Sequence, residues 1–128
     1  MIDLDKIIPN GQFVGIITTV EMKYSSIDED IDFHYLQINW SIDTSLDDEC
    51  EENFYDIKQD IEIDVTDDNA IDLSIGKNRE LTQLRKLFNQ IQSNWEPSLL
   101  IGSVANISIS EEDIAGLFIK KVSVVSKA

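Results

Sequence analysis

Apolar and polar residues alternate through most of this chain, and a helical period appears only once. Across residues 78–92 (NRELTQLRKLFNQIQ), Leu81, Leu84, Leu87, Phe88 and Ile91 recur at steps of three and four. That spacing predicts one amphipathic helix with these side chains on a single face. Arg79, Gln83, Arg85, Lys86 and Gln90 fall mostly on the other face. Trp95-Glu96-Pro97 forbids continuation past Ser93 and Asn94, and Trp95 is expected to fold back onto the helix or the end of the sheet.

Around the helix the period is two, the signature of strands. Residues 1–10 read as a loose lead-in ending in the turn signal Pro9-Asn10-Gly11. Strand one is expected over 12–24, with Val14, Ile16, Val20 and Met22 on one face and Phe13 and Ile17 on the other. Gly15 within it suggests a bulge or bend. An acidic connection covers 25–32. Strand two, 33–42, alternates cleanly: Leu36, Ile38, Trp40 and Ile42 point to the core, and Phe33, Tyr35, Gln37, Asn39 and Ser41 point away. An acidic loop covers 43–52. Strand three, 54–65, sets Tyr55, Ile57, Ile61, Ile63 and Val65 against Phe54, Asp56, Lys58, Asp60, Glu62 and Asp64. A connection follows over 67–76. Beyond the helix, strand four is expected over 99–110 (Ile101, Ala105, Ile107 and Ile109 alternating, a bend at Gly102), then an acidic turn at 111–116 and strand five at 117–125.

Three strands, a helix and two strands, within one domain's worth of chain (128 residues), are the order of an OB-fold. The expected fold is therefore mainly β: a single domain forming a five-stranded OB-like Greek-key barrel with one α-helix between strands three and four. A small α+β sandwich is the structural alternative.

Charge then narrows the partners. Asp and Glu number 25 against 10 Lys and Arg, for a formal net charge of −15. Such a chain repels phosphate and anionic membrane at long range, so any nucleic-acid role must rest on a local basic or aromatic patch. No apolar run approaches the roughly 20 residues of a membrane helix, and the opening residues, with Asp3, Asp5 and Lys6, do not read as a secretory signal. The single cysteine, Cys50, lies among Asp47, Asp48, Glu49, Glu51 and Glu52, a setting that disfavours a thiolate. A cytoplasmic, reducing compartment is the expectation.

Four short stretches resemble phage-type single-stranded-DNA-binding and recombination-associated proteins. These are Gly11-Gln12-Phe13-Val14-Gly15 opening strand one, Tyr35-Leu36-Gln37-Ile38-Asn39-Trp40 in strand two, the leucine-rich, basic helix over 81–91, and Leu100-Ile101-Gly102 opening strand four. The likeness spans residues 11–125. It implies an OB barrel, no catalysis, and an accessory role in phage replication or recombination. Members usually carry their acids in a C-terminal tail; here the acids lie in the body of the chain.

Single-strand binding needs rings on which bases stack and cations along the backbone track. Phe33 and Tyr35, two positions apart on the outward face of strand two, with Phe54 at the start of strand three, are the candidate rings. Lys58, Arg85, Lys86, Lys120 and Lys121 are the candidate cations. A second hypothesis of a different class uses Asp56, Asp60, Glu62 and Asp64. Carboxylates spread over a rigid barrel can imitate nucleic-acid phosphates and occupy the channel of a basic host protein, as an anti-restriction or anti-CRISPR inhibitor would. Exposed edges of an open barrel leave room for a homodimer. No catalytic constellation, cofactor motif or metal-ligand spacing is expected: His34 is the sole histidine, and neither Asp28-Glu29-Asp30 nor Asp67-Asp68-Asn69 has the spacing and glycine of an EF-hand loop.

Overall fold

The computed structural model describes residues 10–28, 31–45 and 53–128. Its elements are β1 (Gly11–Asp28), β2 (Ile31–Asp43), β3 (Phe54–Ile63), α1 (Arg79–Leu87), a 3-10 turn (Pro97–Leu100), β4 (Val104–Ile114) and β5 (Leu117–Lys127). They form one antiparallel five-stranded sheet of order β3-β2-β1-β4-β5, and the single α-helix among the described residues follows β3. Residues 1–9 of the expected lead-in, and most of the acidic loop with Cys50, lie outside the described residues.

The clean alternation of β2 translates directly into burial. Leu36, Ile38, Trp40 and Ile42 are fully buried. Full burial of such side chains stabilises by about 1.5–3 kcal/mol each. β3 matches this row with Tyr55, Ile57, Ile61 and Ile63, and β4 with Ala105, Ile107 and Ile109. Gln59 interrupts the apolar row of β3, and the indole of Trp40 explains it: Trp40 Nε1 donates to Gln59 Oε1 at 2.9 Å, so a buried donor is satisfied inside the core.

β1 departs from the expected phase. An extra residue enters at Thr18, where pairing with β2 steps from Ile17↔Trp40 to Thr19↔Asn39. The bulge exchanges the two faces of the strand. Before it Gly15 and Ile17 are buried while Val14 and Ile16 are exposed; after it Val20 packs on the core. The irregularity is thus at Thr18 and not at Gly15. Gly15 is needed for a different reason: a Cβ there would lie 3.1 Å from the Trp40 ring and 3.2 Å from Ile107. The bare backbone lets β1 cross directly over the largest core side chain.

Both acidic connections are mostly strand. β1 runs on to Asp28 and β2 begins at Ile31, with Asp28 paired to Ile31. β4 likewise continues through Glu111, Glu112 and Asp113 to Ile114, and reverses through Ala115 and Gly116 at φ 54° and 85°. Two positive-φ residues match the tight hairpin geometry. Glu111, Glu112 and Asp113 are exposed, and such positions accept acids without loss of pairing, because strand preference follows context more than residue type. In contrast, strand four begins later than its alternation suggests: residues 97–100 coil into the 3-10 turn, Gly102 turns at φ 90°, and Ile101 is exposed.

The helix is shorter than its apolar period. It stops at Leu87, because Asn89 takes φ 58°, its N–H donates to the Lys86 carbonyl, and the Gln90 N–H donates to the Arg85 carbonyl. This pair of bonds is a Schellman closure with asparagine in the left-handed position. Leu81 and Leu84 reach the core as expected, but Ile91 falls beyond the helix and is exposed. Arg85, expected on the outer face, is buried at 7 % exposure. At the other end Asn78, at φ 50°, holds the incoming loop: it accepts from the Asp64 N–H at 2.7 Å and donates to the Asp64 and Asp72 carbonyls at 2.9 Å.

Candidate nucleic-acid interface

The outward row of β2 carries Phe33 and Tyr35 side by side, as alternation requires. Both rings are half-buried, with centroids 5.8 Å apart and planes tilted by 42°. Register sets their neighbours. Tyr35 stands opposite Lys23 on β1 and Glu62 on β3; Phe33 stands opposite Ser25. The rings are thus flanked by one cation and one carboxylate. Lys23 is paired with Glu21 at 3.7 Å, in the open. Next along the row, Gln37 donates to Asp60 at 3.1 Å. His34, one residue away on the other side of the strand, packs its ring 5.0 Å from that of Tyr24.

Phe54 does not join this pair. It is exposed and stands opposite Asp43, at the far end of β2. At about 3.3 Å per residue, roughly 26 Å of strand separates it from Tyr35. Two of the three expected rings therefore form one platform and the third stands apart.

The expected cations are not brought together either. Arg85 is spent within the fold: its Nε donates to the Gln90 carbonyl at 3.0 Å, its Nη2 to the Gln92 carbonyl at 2.8 Å, and its guanidinium lies 4.8 Å from the ring centroid of Trp95. Burial holds its pKa below the usual guanidinium value. Trp95 is buried as expected, with Nε1 donating to Gln90 Oε1 at 2.9 Å. Lys120 pairs with Glu111 at 3.6 Å and donates to Asn10 Oδ1 at 2.6 Å; Lys121 pairs with Glu112 at 3.4 Å. Lys58 and Lys86 are exposed, on β3 and α1, with no ion pair among the described residues. Periodicity held a signal for Arg85, which follows Leu81 by four residues on the buried stripe. Lys23 carried no signal, because its place beside Tyr35 depends on the β1–β2 register.

Asp56, Asp60, Glu62 and Asp64 stand where alternation puts them. All four are exposed, and none forms an ion pair among the described residues. Asp56, Asp60 and Glu62 lie on β3, where the pleat sets about 6.6 Å between alternate residues, and Asp64 follows its last residue. Two other carboxylates are tuned locally. Ser45 donates its hydroxyl and N–H to Asp43, and Ser74 does the same for Asp72, holding both pKa values below the ordinary 3.8.

No family model, curated protein or solved structure matches this chain. Among the described residues, no cluster of three or more His, Cys, Asp or Glu could hold a metal ion, and no helix is long and apolar enough to cross a membrane.

Proposed function

We propose that this chain is a non-catalytic single-stranded-DNA-binding protein, an accessory of phage replication or recombination acting in the cytoplasm. The observation that carries the reading is the Phe33–Tyr35 pair, set in register beside Lys23 on the outward face of β2. The strand order supports an OB-like barrel beneath it. β4-β1-β2-β3 is the spatial order of a Greek key, and β5 extends it so that closing the sheet would bring β3 and β5 together. Bases stack on the rings, and affinity comes from stacking more than from phosphate neutralisation. With Lys23 as the one lysine beside the rings, log K should fall against log salt with a slope of only about −0.7.

Titration of a fluorescent oligo-dT strand at low and at physiological salt tests the reading. Phe33→Ala and Tyr35→Ala should each weaken binding by about 5- to 150-fold, the range set by roughly 1–3 kcal/mol of stacking per base. Unchanged affinity in both variants would remove the stacking face.

The carboxylates of β3 and the adjoining Asp64, which form no ion pair among the described residues, favour a second reading, that of an acidic decoy for a basic host protein. It predicts no DNA affinity. Neutralising Asp56, Asp60, Glu62 and Asp64 together should release the partner while leaving the fold intact; unaltered competition with nucleic acid for a basic channel excludes that surface.

A further inference from the structure

The sheet is left open between its two outer strands. β3 pairs only with β2 and β5 only with β4, and among the described residues no hydrogen bond reaches the free edge of β3. A cleft of about 380 Å³ lies between these edges beneath α1, with Ile61, Leu84, Leu87, Val122 and Val124 as its apolar lining. Gln59 lines the same cleft at 9 % exposure. Its Oε1 accepts from Trp40 Nε1 at 2.9 Å. An unpaired strand edge beside a partly apolar cleft is matched by the main chain of an added strand.

We propose that β3 is a docking edge for an extended segment of a protein partner in which basic and apolar residues alternate. The pleat sets the chemistry of that partner. A strand laid along β3 directs every second side chain into the cleft, against Ile61 and Leu84, and the others outward beside Asp56, Asp60 and Glu62. Apolar residues suit the first set and Lys or Arg the second. The same charges exclude a second copy of this chain: β3 against β3 would bring two acidic rows together. The edge is ten residues long with no proline and no register shift against β2, so its guard is charge alone, and that charge admits a basic strand. The inference is independent of DNA binding. It rests on the acidic row of the second reading and adds to it a main-chain mode of recognition that charge mimicry does not require.

The test uses the full chain and a labelled short peptide of alternating lysine and valine, followed by anisotropy at physiological salt. Two comparison peptides accompany it: the same sequence N-methylated on alternate residues, which keeps charge and removes strand hydrogen bonding, and a glutamate-valine counterpart. The lysine peptide should bind, N-methylation should weaken it by about tenfold or more, and the acidic peptide should not bind. Amide exchange should slow within residues 54–63 on binding. Asp60→Asn with Glu62→Gln should weaken binding by a similar factor. Equal binding of the N-methylated peptide overturns the strand edge while leaving the charge-based reading intact. Absence of binding by any basic peptide overturns both. Self-association of the chain with slowed exchange over 54–63 assigns the edge to a second copy and overturns the proposal.

Discussion

Arg85 offers the sharpest test of how this fold uses its few cations. On a helix surface, replacing an arginine changes stability by no more than about 0.5 kcal/mol. Here the side chain is buried, donates to the carbonyls of Gln90 and Gln92, and lies over Trp95. Each charge-assisted bond is worth about 1 kcal/mol once the freed carbonyl is partly rehydrated. The stacked guanidinium adds about 1 kcal/mol. Arg85→Ala should therefore cost about 3 kcal/mol. At about 2.1 cal/mol/K of unfolding entropy per residue, that lowers Tm by about 11 °C for a chain of this length. Arg85→Lys is the more telling variant. It keeps the charge and the stem, but one ammonium cannot bridge two carbonyls and cover an indole face at once, so it should lose about half as much. Urea and thermal unfolding of both variants read the effect directly, and tryptophan fluorescence should report the loosening of Trp95. If both variants fall within about 0.5 kcal/mol of the parent, the closure of the helix end by Arg85 is wrong. DNA affinity at a temperature where the variant is folded should stay unchanged, since the guanidinium is spent inside.

Three further outcomes follow from the same geometry. Gly15→Ala should destabilise by about 1–3 kcal/mol in a thermal melt, because the added methyl meets Trp40 and Ile107, both fully buried and unable to yield; a neutral result would show that β1 does not cross Trp40 so closely. Asn78→Ala should cost about 3 kcal/mol through three lost hydrogen bonds and a left-handed backbone, whereas Asn78→Gly should recover about 1 kcal/mol of it by relieving the backbone alone. Asp72, whose pKa is lowered by the Ser74 hydroxyl and N–H, contributes stability that is present above its ordinary value of 3.8 and is lost as pH falls through its lower folded value. The Tm difference between the parent and Asp72→Asn should accordingly shrink below about pH 4, and a difference constant from neutral to strongly acidic pH would contradict it.

The core was legible wherever a strand kept one phase. Leu36, Ile38, Trp40 and Ile42 in β2, and the alternating row of β3, could be read from period two alone. Legibility failed where a backbone event reset the phase. The bulge at Thr18 exchanged the faces of β1, and the left-handed Asn89 ended α1 before Ile91. Neither event leaves a mark in hydrophobic pattern. Acid-rich composition misled in a different way: 25–28 and 111–114 were expected as connections, yet pairing extends through both. For the candidate site, positions on one strand were legible and relations between strands were not. Phe33 and Tyr35 share a face because they are two apart; that Lys23 and Glu62 flank them, and that Phe54 lies at the opposite end, depends on register.

The excess of acid is unevenly used, and that unevenness matters more than the net charge. On β4 and β5, Glu111 and Glu112 meet Lys120 and Lys121, so acid and base cancel across the ladder. On β3 the carboxylates have no such partners among the described residues, and Glu62 stands directly opposite Tyr35. The two functional readings therefore compete at one place. A strand stacked on Tyr35 brings a phosphate within reach of Glu62, inside the roughly 8 Å over which charges interact at physiological salt. Glu62→Gln should then strengthen DNA binding at low salt, and the gain should fade as salt rises. For a basic partner the same substitution removes attraction and should weaken binding. Glu62 is thus the position whose neutralisation moves the two affinities in opposite directions, and the sign of the change separates a DNA-binding face that tolerates acid from an acidic face that selects a basic protein.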